Sequence, residues 1–433
     1  MNFLDNYFKL SENGTNVRTE VLAGLTTFLT MAYIIFVNPS ILGDAGMPKD
    51  AVFVATCVAA AIGTLIMGLY ANFPIGLAPG MGLNAYFAYG VVLGMGFPWQ
   101  SALGAVFISG CCFLVVSLLG VREKIMNAIP PSLRTAIPAG VGLFLALISL
   151  KNSGIVVANP ATFVTLGDLH KPEPVLAIIG FLTIVALDRL RVTGALLIGI
   201  MVVTALSFVF GGNEFRGIVA PPPSIEPTFM QLDVVGAVSK GLLNVVLVFF
   251  LVELFDATGT LMGVAQRAGL MKEGKMPPGM NKALLADSGA IIAGSVMGTS
   301  STTAFIESAA GVQAGGRTGL TAVTIAVLFL LALFIAPLAG VVPAYATAPA
   351  LFFVACLMLR ELTEINWAET TESIPAVITA LVMPFTYSIA NGLALGFISY
   401  AGLKLLTGKH REVSLMLWGI AGIFLFKTIY LPG

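Results

Sequence analysis

The sequence predicts an all-α polytopic membrane protein that crosses the bilayer about fourteen times, as two inverted sets of seven segments with the third and tenth broken. Three observations carry this. Of 433 residues, 57% are hydrophobic and only 10% charged, far from the balance of a soluble domain. The apolar residues fall into runs of roughly twenty, enough for a helix to cross a hydrocarbon core. Two of these runs, in corresponding positions of the two halves, are interrupted by glycine, proline, serine or threonine, which points to a binding site at the membrane midplane.

In order, the first set reads Thr19 to Leu42, Asp50 to Asn72, a broken Phe73 to Gly94, Trp99 to Gly120, Ile129 to Leu150, Pro174 to Leu190 and Val192 to Phe210. The connection GGNEFRGIVAPPPSIEP then separates the halves. The second set reads Val238 to Ala265, Asn281 to Val296, a broken Met297 to Gly315, Gly319 to Val341, Ala344 to Leu362, Glu372 to Ile389 and Ala390 to Leu406. AIPAGVGLFLALISL at Ala136 to Leu150 echoes ATAPALFFVACLML at Ala346 to Leu359, which aligns the fifth segment with the twelfth. An odd number of crossings per set inverts the second half. Val413 to Tyr430 is left over, and three readings stay open: a fifteenth span, an interfacial helix, or a span merged or split elsewhere.

Lysine and arginine orient the chain with its N-terminus inside. Lys9, Arg18, Arg122, Lys124, Arg134, Arg189, Arg191, Arg267, Lys272, Lys275, Lys282, Arg317, Arg360, Lys404, Lys409 and Arg411 then fall on the cytoplasmic side, against Lys49, Lys151, Lys171, Arg216 and Lys240 on the other. The first twenty residues are polar, so the first spanning helix is expected to target the chain without a signal peptide.

Composition also removes classes of function. Net charge is zero and no basic tract is interleaved with aromatics, so nucleic acid is not an expected partner; membrane lipid is. His170 and His410 lie in polar connections, and Cys57, Cys111, Cys112 and Cys356 sit in apolar runs without a CxxC pair. No metal, cofactor or enzymatic nucleophile is therefore expected, and proton chemistry at membrane depth falls to carboxylates.

Those carboxylates mark the candidate site. Met297 to Leu320, MGTSSTTAFIESAAGVQAGGRTGL, opens with Thr299, Ser300, Ser301, Thr302 and Thr303 and then carries Glu307 and Ser308. A carboxylate at mid-bilayer costs roughly 3 kcal/mol, so it faces a cavity or a partner. The stretch predicts an extended piece followed by a half-helix entered near Thr303 to Ile306, its positive end directed at a ligand. For Glu307 the bland alternative is a cap on its own half-helix. In VFFLVELFDATGTLMG, Glu253, Asp256 and Thr260 are spaced three and four apart and share a helical face. A substrate and proton site is one reading of that stripe, and a structural carboxylate is the other. Glu253 either supports Asp256 or takes part itself. In PIGLAPGMGLNAYFAY, Asn84 follows a glycine-rich opening, either binding substrate or bonding to exposed carbonyls; Tyr86 and Phe87 offer an aromatic wall or simple packing. Thr26, Thr27, Thr30, Tyr33 and Asn38 either pack the first segment or line the site. Asp287 reads as a support residue, and Arg317 in GGRTGL as a carbonyl cap or a brace for an acid.

GTSSTTAFIESAAG followed by GGRTGL resembles the signature of the nucleobase-cation symporter-2 family, in its azaguanine-permease-like branch. TTFLTMAYIIFVNPSIL, APGMGLNAYFAY and LVELFDATGTLMGVAQRAGL agree with it, so the resemblance covers nearly the whole chain. It implies a secondary transporter carrying adenine, guanine or hypoxanthine by proton symport into the cell across the cytoplasmic (inner) membrane. Asp256 and Glu307 match the family's substrate-binding acids, with Asn84 as binding or support residue. The coupling proton is assigned to Asp256, Glu307 or Glu253; Thr260, Thr303 and Ser308 complete the expected site. The resemblance further implies a core domain (1–120 and 234–341), a gate domain (121–233 and 342–433) and a homodimer. A uracil or xanthine permease, and an anion transporter of the same architecture, are the rival readings.

Overall fold

The structure is a computed structural model that describes residues 3–122, 125, 128–210, 217–239, 242–268 and 279–430. Lys124, Arg216, Lys240, Lys272 and Lys275, five of the charges used for orientation, lie outside them.

After a short helix α1 (Phe3–Phe8), the first segment is α2 (Val17–Met31) and α3 (Ile34–Asp44), interrupted at Ala32 and Tyr33. The second is α4 (Lys49–Ile66) with a π-helical continuation Met67–Ala71. The third is broken as expected, into the strand β1 (Leu77–Pro79) and the helix α5 (Met81–Ala85), which widens into π turns over Tyr86–Gly94. There follow α6 (Trp99–Leu118), α7 (Pro131–Asn152), the hairpin β2 (Val156–Asn159) and β3 (Phe163–Leu166), α8 (Pro172–Arg189) and α9 (Ala195–Phe210). The second half comprises α10 (Val234–Ser239), α11 (Leu243–Arg267), α12 (Met280–Met297), β4 (Thr302–Ala304), α13 (Ser308–Gln313), α14 (Gly319–Ala332), α15 (Ala336–Val341), α16 (Ala344–Met358), α17 (Thr370–Phe385) and α18 (Ile389–Leu406). Two seven-segment halves thus repeat in inverted order, each with a strand and a short helix at its third position.

Local chemistry sets the breaks. Proline opens α7 and α8, where no amide donor is required. Gly298 ends α12 at φ +92, a conformation open to glycine, and a Cβ there would run into Thr228. The chain therefore leaves α12 sharply and enters β4. The tenth-segment helix begins at Ser308, later than the sequence suggested, because the Ser/Thr run stays extended to pair with β1.

Helices fall into two packed groups. In one, α2 and α4 pack on α14, α12 on α4 and α6, and α11 on α6. In the other, α7 packs on α16 and α17, α8 on α9 and α16, and α17 on α18. The leftover run forms α19 (Leu415–Tyr430), which buries Leu417 and Phe424, the latter stacked on Phe397 of α18 at 6.1 Å. Its other face exposes Leu415, Ile423 and Phe426, a surface suited to lipid rather than water. Lys404, 2% exposed, ties this end together through Glu372 at 2.8 Å and Glu412 at 2.6 Å.

Candidate functional site

The two broken segments meet at the centre. β1 and β4 pair antiparallel, with Leu77 opposite Ala304, Ala78 opposite Thr303 and Pro79 opposite Thr302. The Gly80 N–H donates to the Ser301 carbonyl at 2.9 Å and the Phe305 N–H to the Gly76 carbonyl at 3.0 Å. Extended backbone survives at membrane depth only when its polar groups find such partners.

Side chains complete the crossing. Asp287 on α12 accepts from the Ala304 N–H at 3.0 Å and the Thr303 hydroxyl at 3.1 Å, which makes it a support for β4. The Ser308 hydroxyl accepts from the Gly76 N–H at 3.0 Å. Asn84, fully buried, donates to the Asn38 side-chain oxygen at 2.7 Å and accepts from the Ser300 hydroxyl. Asn38 in turn donates to Thr56 at 2.7 Å and Thr299 at 2.8 Å. Ser308 thus joins the two broken segments directly, Asn84 links the tenth segment to the first through Ser300 and Asn38, and Thr303 ties β4 to α12. Phe87 has no exposed surface, and Tyr86 packs edge-on against Phe249 at 5.1 Å; both are core residues in this conformation.

Asp256 and Glu307 are different, each only half-buried. Asp256 faces the start of α5: a Cβ added at Gly80 would lie 3.9 Å from the Asp256 Oδ2, and it would run into the Thr303 methyl at 2.9 Å, so glycine is what lets α5 and β4 approach here. Glu307 stands just before α13 and makes no capping bond there. Its Oε1 accepts instead from the Tyr33 hydroxyl at 2.7 Å, reaching across from the interruption in the first segment. α11 packs against β4 and α13, so both acids belong to one central site. Of the remaining first-segment hydroxyls, Thr26 and Thr30 bond to backbone carbonyls at 2.9 and 2.7 Å, and Thr27 is buried without a hydrogen-bond partner among the described residues.

The stripe of α11 carrying Asp256 is open in one direction only. Toward the C-terminal end Gly259 is exposed, Gly263 partly exposed, and Gln266 and Arg267 exposed. Toward the other end Val252, Phe249 and Val245 are all buried. The open end lies on the face that carries the N-terminus, since α12 starts beside Ala71 and Phe73 at the end of the second segment.

The stripe also divides. Three residues are 60° short of a full helical turn, and Glu253 uses that offset to turn away from Asp256 toward α6. It is fully buried and accepts from the Ser109 hydroxyl at 2.8 Å. Thr260 is also buried. Arg122, placed in a loop by sequence, folds back into the protein: its guanidinium lies 4.1 Å over the Phe113 ring, and its Nε donates to Thr258 at 2.9 Å. Arg317 donates to the carbonyls of Val312 at 2.6 Å and Gly316 at 2.7 Å, capping α13.

Two inverted halves, crossed strands at the centre and a pair of accessible carboxylates beside them define a multi-pass membrane transporter. The structure is similar to the transmembrane domain of the cyanobacterial bicarbonate transporter BicA, with TM-score 0.66 at 16% identity over 88% of this chain and 97% of that one, which shows the fold. The profile described as Permease family matches residues 18–395. The chain is 49% identical to the adenine permease AdeP of Escherichia coli strain K12, over 99% of this chain and 96% of that one. It is 46% identical to the guanine/hypoxanthine permease PbuG of Bacillus subtilis strain 168, over 98% and 99%. The chain belongs to the nucleobase-cation symporter-2 permeases, in their azaguanine-permease-like branch.

Proposed function

We propose that this permease is a proton-coupled importer of purine nucleobases, adenine, guanine or hypoxanthine, in the cytoplasmic membrane with its N-terminus inside. The observation that carries it is the pair of half-buried acids, Asp256 and Glu307, at the crossing of β1 and β4. The names of AdeP and PbuG support the purine class. A neutral purine offers N–H donors in its plane, and carboxylates accept them. One oxygen of Glu307 is held by Tyr33, which leaves the other for substrate. A net positive site for an anion is not what these acids make.

Coupling requires that proton uptake change substrate affinity. Asp256 and Glu307 have the access to serve; Glu253, sealed against Ser109, is assigned to supporting α11. The core group (1–120 and 234–341) would carry the site past the gate group (121–233 and 342–433), with a homodimer formed through the gate.

The test is uptake of labelled adenine, guanine and hypoxanthine into cells lacking their own purine permeases, with and without an uncoupler. Uncoupler-sensitive uptake of at least one purine is expected. Well-expressed protein that carries none would overturn the purine reading, and labelled uracil, xanthine and bicarbonate in the same cells would identify the rival. Tyr33→Phe should raise the KM for the transported purine roughly tenfold, the weight of one hydrogen bond to a charged group, with little change in maximal rate. An unchanged KM would show that Glu307 needs no such brace.

A further inference from the structure

We propose that Tyr89 and Tyr387 form the gate that seals the site from the face opposite the N-terminus. The two tyrosines come from different helix groups. Tyr89 lies in the π-helical end of the third segment, and Tyr387 in the turn between α17 and α18. Their rings meet edge-on at 6.4 Å, and the Phe144 ring of α7 meets Tyr387 at 5.3 Å. The Tyr89 hydroxyl donates to the Asp44 carboxylate at 2.7 Å, at the end of α3, and accepts from the Asn152 side-chain amide at 3.1 Å, at the end of α7. Lys151 stands 5.6 Å over the Tyr387 ring. One phenol therefore bridges the two groups, which also meet where α11 packs on α7 and α18 and where α3 packs on α16.

The location matches the closure. α3 ends at Asp44 after crossing from the N-terminal side, so this cluster lies on the opposite face. That is the direction in which Val252, Phe249 and Val245 close the Asp256 stripe, while Gly259 stays open the other way. An alternating-access carrier must break this contact to expose the site on that face.

Backbone strain points the same way. Tyr387 adopts φ +54, just after α17, where glycine is the unstrained choice. Residues held in sparsely populated backbone regions persist where surrounding structure requires them. Here what requires it is the ring, enclosed by Phe144, Tyr89 and Lys151.

The inference rests on the alternating-access part of the proposed function and not on which substrate is carried. Its test needs no substrate. The full chain, with Cys57, Cys111, Cys112 and Cys356 replaced, receives a single reporter by Gly259→Cys or Val245→Cys. Reaction with a small water-soluble methanethiosulfonate is timed on purified protein in nanodiscs. In the parent, the reporter at 259 should react quickly and that at 245 slowly. Tyr89→Phe, which loses both hydrogen bonds, should speed the reaction at 245 by roughly tenfold and slow it at 259. Tyr387→Gly should act in the same sense, although as a turn residue glycine is the easier choice. Opposite movements at the two positions support the gate. Rates that stay within about twofold, or that rise together as in general loosening, overturn it.

Discussion

Asp256→Asn and Glu307→Gln should each reduce purine uptake by about 100-fold or more at matched membrane expression, since an acceptor for a substrate N–H is lost or turned into a donor. A hydrogen bond to a charged group contributes about 1.5–3 kcal/mol, and loss of the ionisable site removes coupling as well. Both substitutions keep side-chain size, and both acids are half-buried beside an open path, so folding should be little affected. Asn84→Ala should differ in kind. It breaks the bonds to Asn38 and Ser300 inside a sealed network, so less folded protein should reach the membrane. Measuring uptake and size-exclusion profile together separates the two behaviours. Full uptake by Asp256→Asn would remove this residue from the site.

The largest expected loss of stability comes from a residue far from the substrate. Glu20, with no exposed surface, accepts from the backbone N–H of Arg317 at 2.9 Å, Thr318 at 3.3 Å and Thr321 at 3.2 Å, and from the Thr321 hydroxyl at 2.6 Å. It caps α14 from the start of α2, and Asn72 adds a bond to the Gly319 N–H at 2.8 Å. Glu20→Ala strands these donors where neither water nor another helix replaces the acceptor. Each buried unsatisfied group costs about 1–3 kcal/mol, so a total of about 3 kcal/mol or more is expected. Thermal melting in detergent should show it, with Glu20→Gln intermediate. Equal melting of Glu20→Ala and parent would mean the capping bonds are not formed in the membrane protein.

Much was legible before any coordinates. Apolar run length, set by bilayer thickness, located the spans, and the interruptions at Phe73 to Gly94 and Met297 to Gly315 located the crossing strands. The cost of a charge in hydrocarbon marked Glu253, Asp256, Asp287 and Glu307, and the family resemblance chose Asp256 and Glu307, the two of these four that are not fully buried. Spacing placed Glu253 on the Asp256 face, as support or participant; the fold adds that it accepts from Ser109. Asn84, Thr303 and Ser308 were expected in the site; that they bond to Asn38, Asp287 and the Gly76 N–H became visible only in the fold. Tyr33 was named among first-segment residues with no partner assigned. Glu20, Asp44 and Tyr89 carried no local signal, because their partners lie 297, 45 and 63 residues away.

By itself, then, the sequence determined the solvent, the inversion of the two halves, the two breaks and the membrane-depth acids, since each follows from the cost of placing a local stretch in a low-dielectric slab. Only the tertiary structure decided which polar groups are consumed by one another, which helix stripe stays open, and where the two helix groups are joined. Those outcomes depend on hydrogen-bond partners brought together by packing across hundreds of residues, and no window along the chain contains both ends of such a bond.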